Sequence, residues 1–162
     1  MDAAAILNSQ YQASLEMLKQ TIIACPQELW NADNARNRFW HTAYHALFFT
    51  HLYVEESEEA FRPWSKHRTG YEDFDGGQDF EPYEKDDLLE YLAFCQQHVA
   101  ERVPQLDLEA LEGFGDRTLI TLELQLYSIR HLMQHVGELM DRLSTQTGTE
   151  IEWVGWVHTK KA

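Results

Sequence analysis

Cysteine is scarce in this chain: Cys25 and Cys95 are the only two, far apart and outside any CxxC spacing. A disulfide framework is therefore not indicated, and a reducing cytosol is the simplest compartment. Neither thiol has a base nearby in sequence, so a catalytic cysteine is not expected. Long apolar runs are also missing. No stretch approaches the roughly 18 residues a membrane helix needs. The start, MDAAAILNSQ, has no basic region followed by an apolar core, so no signal peptide is expected. Positive charge is short, with 13 Lys and Arg against 27 Asp and Glu, a formal charge of −14. Such a surface repels phosphate backbones and anionic lipid, so neither nucleic acid nor a membrane is an expected partner. There is no Gly-rich phosphate loop, GxSxG or HExxH. The acidic YEDFDGGQDFE lacks the spacing of an EF-hand and reads as a solvated loop.

Apolar residues make up 44% of the 162 positions, enough for one compact domain spanning the whole chain. Four segments carry helical periodicity. The first, residues 2–25, places Ile6, Leu7, Tyr11, Leu15, Leu18, Ile22 and Ile23 at helical spacing, and Pro26 stops it. The second, residues 34–54, contains FWHTAYHALFFTHLYV, apolar nearly all round, and predicts an interior helix. The third, residues 83–103, turns Leu88, Leu89, Leu92, Val99 and Val103 inward and ends at Pro104. The bridge QLDLEALEGFGD has room for a turn of helix. The fourth, residues 117–145, has a stripe of Leu122, Leu126, Ile129, Met133, Val136, Met140 and Leu143, with Gly148 beyond its end. Between the second and third helices, residues 55–82 hold Pro63, Gly70, Gly76, Gly77 and Pro82 among aromatic and acidic side chains. A connection that long is a crossover between helices, a cover over a site, or both. The tail, IEWVGWVHTK, reads as an extended surface segment. The tryptophans Trp64, Trp153 and Trp156 are candidates to pack loop and tail on the bundle, or to line a pocket or dimer contact. The fold class is all-α, a four-helix bundle.

The stretch RHLMQHVGEL puts His131 and His135 one turn apart on one side of the fourth helix, at the edge of its apolar stripe. An i, i+4 histidine pair is a weak signal in a chain with eight histidines. The plain reading is two boundary side chains, hydrogen-bonded or solvated. His45 strengthens the case, because it sits mid-helix in AYHALFF with little polar surface around it. A buried imidazole needs a hydrogen-bond partner or a metal. Two ligands from one helix and a third from its neighbour make a three-histidine site with open positions, the form a catalytic metal uses. Zn²⁺ or Ni²⁺ suits such nitrogen donors. His41, one turn before His45 on the same face, is a further candidate ligand, an outer-shell residue or a solvated side chain. His51, His67, His98 and His158 have no comparable setting, although His67 could line a cleft if the loop folds over the site.

The segments WHTAYHALFFTHLYV and RHLMQHVGEL resemble the two signature segments of the DinB-like superfamily of four-helix bundles. That family keeps a histidine in the middle of its second helix and an H-x-x-x-H-x-G motif on its last. His45, His131, His135 and Gly137 occupy those positions here. Glu138 stands where many relatives have Gln, and His41 is additional. The resemblance implies an up-down-down-up helix order with a long crossover between helices two and three, often in a homodimer. It also implies a divalent metal held by His45, His131 and His135, facing a pocket. Gly137 would then let another helix or the loop approach closely. Relatives include transferases in which the metal activates a low-molecular-weight thiol.

Two classes of function follow as expectations. One is a metal-dependent enzyme, a thiol-dependent S-transferase or a hydrolase acting on a small molecule. Glu138 is there a candidate base or orienter, or simply a surface glutamate. The other is a non-catalytic bundle that binds a small molecule or protein, with a structural or adventitious metal.

Overall fold

Asp2 starts the first helix by accepting a hydrogen bond from the Ala5 amide at 3.0 Å, which satisfies one of the open donors of the first turn. The helix, α1, runs Ala3–Ala24. Pro26 lacks a donor and ends it, and a single further turn follows as α2, Gln27–Trp30. Next come α3, Phe39–Leu52, α4, Lys85–Arg102, a 3-10 turn at Val103–Gln105, and α5, Thr121–Thr147. Gly148 closes α5 in the left-handed conformation, its amide bonded to the Ser144 carbonyl at 2.8 Å. This computed structural model describes residues 2–74, 80–111, 113–114 and 119–157. The described residues hold five helices and no strand. None of these helices is long and apolar enough to cross a membrane.

The four long helices pack as a bundle. α1 touches α4 and α5, and α3 touches the same two, so α1 and α3 face each other diagonally. Tyr11, Leu15, Leu18 and Ile22 of α1 meet Trp40, Tyr44 and Leu47 of α3, with Tyr91, Leu92, Leu132 and Leu139 completing one apolar core. Gln125 is fully buried in it. Its carbonyl oxygen accepts from the Tyr11 hydroxyl and its amide donates to the Tyr53 carbonyl, both at 2.8 Å, so burial leaves no polar group unpaired there.

Three expectations shift. The second periodic segment becomes helical only at Phe39. Ahead of it, the Arg142 guanidinium of α5 donates to the Asn37 and Ala32 carbonyls and to the Asn34 side chain. These bonds tie the segment before Phe39 to α5. On α5 the inward line is Leu124, Gln125, Ser128, Leu132, His135, Val136, Leu139 and Leu143. Leu126 is 56% exposed, and Ile6 and Ile23 of α1 also point outward. Burying Gln125 and His135, each with a partner, turns the helix away from the purely apolar stripe. The start of the fourth segment, from Arg117, lies partly outside the described residues; the helix itself begins at Thr121.

The bridge before α5 caps that helix. The Thr121 amide donates to Ala110 and the Leu122 amide to Leu108, at 2.8 and 3.0 Å. Gly113 lies against the start of the long connection, where a Cβ would come within 2.8 Å of the Glu56 carbonyl oxygen and 2.9 Å of Ser57 Cβ. Gly113→Ala is expected to lower stability by about 1–3 kcal/mol, the usual range for a forced clash. Urea unfolding of the two proteins checks it.

Candidate metal centre

His45 stands on α3 and His131 and His135 on α5, two helices packed side by side. Packing brings the three rings to one point. His131 Nε2 lies 3.2 Å from His45 Nε2 and 3.1 Å from His135 Nε2. All three offer a ligand atom within 4.8 Å of the others. His45 is 9% exposed and His135 6%, so both rings are largely withdrawn from water.

The other ring nitrogens fix which tautomers are present. His45 Nδ1 sits 2.6 Å from the Glu72 carbonyl oxygen, and His135 Nδ1 sits 2.8 Å from Glu138 Oε2. The Glu72 carbonyl oxygen only accepts, so His45 Nδ1 carries the hydrogen, and the Glu138 carboxylate oxygen takes the same accepting part for His135 Nδ1. His45, kept neutral by burial, then presents a bare Nε2 lone pair to His131, and His135 turns its Nε2 to the same atom. A single hydrogen on His131 Nε2 can be donated along only one of these two directions. A cation among the three serves all.

The spacing fits that role. Nitrogens about 2.0–2.1 Å from one ion, at angles between octahedral and tetrahedral, lie about 2.9–3.4 Å apart. Burial pushes the His45 imidazole down to about 3, with smaller contributions from the neighbouring His135 and His131, although the bond to Glu72 opposes the shift. Its ring is therefore neutral, the form that binds metal.

Aromatic rings shape the surroundings. Phe74 stacks on His45 with centroids 4.1 Å apart, and Phe49 leans on it at 4.7 Å. Tyr127 lies parallel to His131 at 6.2 Å. Beside the histidines opens a cleft of about 550 Å³, walled by Phe74, Thr42, His135, Glu138, Arg36 and Arg142 among others.

The long connection supplies much of this. Trp64 stacks on Tyr91 of α4 at 4.6 Å, and Tyr83 donates to the Lys66 carbonyl at 2.7 Å. Anchored there, the segment crosses α3 and delivers the Glu72 carbonyl and the Phe74 ring. Its described part thus lies over the histidine cluster. Gly76 and Gly77 lie outside the described residues.

Other candidates fall elsewhere. His41 Nε2 donates to the Tyr71 carbonyl at 2.8 Å and its ring stacks on Trp40, so it stands outside the trio. His67 Nδ1 pairs with the Tyr44 hydroxyl at 2.6 Å. His51 and His98, unremarkable in sequence, meet around Glu55. His158 lies outside the described residues. Trp64 is buried, whereas Trp153 and Trp156 are 75% and 65% exposed. Glu72 and Phe74 escaped sequence reasoning: one acts through its backbone, the other is an ordinary loop aromatic. Gly137 is also unlike its expected role, since nothing among the described residues lies within 4 Å of where its Cβ would be.

No protein-family model matches the chain, and no curated protein matches it.

Two outcomes follow from this geometry. In metal-free protein His45 titrates near 3 when folded and near 6.5 when unfolded. Between those values the unfolded chain binds the extra proton, so stability falls as pH drops from 6.5 toward 3. Wild type should therefore lose about 1 kcal/mol more per pH unit across that window than His45→Gln, as measured by urea unfolding at a series of pH values. Gly137→Ala should raise the melting temperature, since alanine gains about 0.5–1 kcal/mol over glycine inside a helix that has room for it.

Proposed function

We propose that the chain is a metal-dependent enzyme of the DinB-like kind, holding one divalent ion, Zn²⁺ or Ni²⁺, through His45, His131 and His135. The observation that carries this reading is the inward convergence of Nε2 atoms whose rings are locked from behind by Glu72 and Glu138. An ion bound by three neutral imidazoles keeps its full positive charge and supplies Lewis acidity toward water or a thiol. A thiol-dependent S-transferase, using a low-molecular-weight thiol and a small electrophile, is the reaction class that the resemblance favours; a hydrolase would use the same centre.

The protein's own residues have definite parts in this scheme. Glu138 holds the His135 Nδ1 proton and so sets the lone pair on Nε2, which makes it a positioning residue. The Glu72 carbonyl does the same for His45. Phe49, Phe74 and Tyr127 keep bulk water from the rings. The cleft beside His135 admits a small molecule, and Thr42 and Arg36 on its wall offer a hydroxyl and a guanidinium to its polar groups. The same reading takes the bundle as up-down-down-up. It places the protein in the cytoplasm, where buried free thiols at Cys25 and Cys95 are stable. It also takes the chain as a homodimer, for which exposed Leu126, Trp153 and Trp156 offer apolar area. The alternative is a non-catalytic small-molecule or protein-binding bundle with a structural or adventitious metal, and turnover distinguishes the two.

Untagged protein, purified without a nickel column, should retain close to stoichiometric divalent metal by elemental analysis. His135→Ala should lower the retained metal by about one equivalent, and wild type with under about a tenth of an equivalent contradicts the site. Glu138→Ala should weaken metal affinity about 10–100-fold, the usual effect of removing an outer-shell partner. Glu138→Gln, which still accepts from Nδ1–H, should bind within a few-fold of wild type by competition with a chromophoric chelator. Turnover, sought with thiols plus electrophiles and with esters and amides, should disappear in His45→Ala and His131→Ala. Activity surviving both substitutions contradicts the enzyme reading.

A further inference from the structure

α3 has a second flank, turned to α4, and its far end carries another convergence of ligating side chains. His51 of α3, Glu55 just beyond it and His98 of α4 each offer a ligand atom within 4.8 Å of the others. None of them belongs to the centre between α3 and α5. We propose that His51, Glu55 and His98 form a second divalent-cation site, binding an ion of the Zn²⁺ class through two imidazole nitrogens and one carboxylate oxygen.

Each side chain is held ready from behind. His51 is 2% exposed, and its Nδ1 lies 3.1 Å from the Tyr91 hydroxyl. With the hydrogen on Nδ1 donated to that oxygen, Nε2 is the atom it presents to an ion. Burial drives this imidazole down to about 3, with His98 adding a smaller push, so the ring is neutral. Phe61 meets its face edge-on at 4.8 Å, and Phe94 lies parallel to the His98 ring at 5.2 Å. The two imidazoles stand nearly perpendicular, at 85°, with centroids 4.9 Å apart.

Glu55 completes the set. Its Oε1 is 2.8 Å from His98 Nε2, where the two groups share one proton. A divalent ion between them takes the place of that proton. Oε2 leans toward Arg102 Nε at 3.6 Å, so the carboxylate is tethered on one oxygen and offers the other. The Arg102 charge is itself partly answered by Glu56, at 3.2 Å. Both Glu55 and His98 are mostly covered, at 14% and 17% side-chain exposure, and they mark the side from which an ion would enter.

The donor types choose the ion. Ca²⁺ and Mg²⁺ want a shell of oxygens, which one carboxylate cannot supply. Two neutral imidazoles with one carboxylate suit Zn²⁺ and its transition-metal neighbours, and leave coordination open to solvent. Without an ion, the same residues are a His98–Glu55–Arg102 charge network against a buried imidazole, and the experiment separates these two descriptions.

Uniformly ¹⁵N-labelled wild-type protein is titrated with Zn²⁺ while the imidazole nitrogens are followed by long-range proton–nitrogen correlation. His98→Gln serves to assign the His98 signals. The expected result is that ring nitrogens of His51 and His98 shift on binding. They should shift equally in His131→Gln, in which the first centre is removed. His98→Gln and Glu55→Gln should each bind about one equivalent less than wild type. Unmoved His51 and His98 signals at saturating Zn²⁺ overturn the proposal, as does a folded His98→Gln protein with the wild-type stoichiometry. Through-space contacts of the His98 ring with Phe94 and of the His51 ring with Phe61 assign both sets of signals within wild type, so its spectra decide the matter even if a variant fails to fold, and failure here leaves the centre at His45 untouched.

Discussion

A neutral imidazole has one proton to place, and in this bundle the placement is made from outside the histidine cluster. The Glu72 carbonyl takes the Nδ1 hydrogen of His45, and the Glu138 carboxylate takes that of His135. The neutral His45 ring then points its Nε2 lone pair, and His135 its Nε2, at a third nitrogen little more than 3 Å away. Leaving one such buried acceptor unpaired costs about 1–3 kcal/mol. A cation shared by the three rings would remove that penalty. The aromatic walls, the route of the long connection and the rotation of α5 all bear on this arrangement.

The rest of the fold can be read as support for two helices at a fixed separation. α1 lies diagonally opposite α3 and touches α5 and α4. Gln125 ties α5 to both Tyr11 and Tyr53, while Arg142 ties the lower end of α5 to the chain before α3. These polar links are directional, whereas apolar packing alone would let α5 slide or rotate. A rotation of α5 by one residue would carry His131 and His135 past His45. The links through Gln125 and Arg142 therefore bear on the metal centre without touching it.

Much of this was legible in the sequence. Helical periodicity gave four long segments, and Pro26 and Gly148 marked two of their ends. The i, i+4 spacing of His131 and His135, with His45 in an apolar helix, placed three rings that the bundle does bring together. Other parts were hidden for physical reasons. The apolar stripe of α5 overlooked Gln125 and Ser128, because burial of polar residues depends on partners that only tertiary structure reveals. Glu72 contributes a backbone carbonyl, which no side-chain pattern encodes. His51 and Glu55 form their own i, i+4 pair, yet His98 joins them only through the packing of α3 on α4. Gly137 matched a motif by position, but the close approach that motif implies is not made among the described residues.

The central claim is that one ion is bound jointly by α3 and α5. Crystals of untagged protein loaded with one equivalent of zinc, measured at wavelengths on either side of the zinc edge, test it most directly. The account predicts an anomalous peak about 2.0–2.1 Å from Nε2 of His45, His131 and His135. A peak bound elsewhere, with His45 beyond bonding distance of it, would contradict the account.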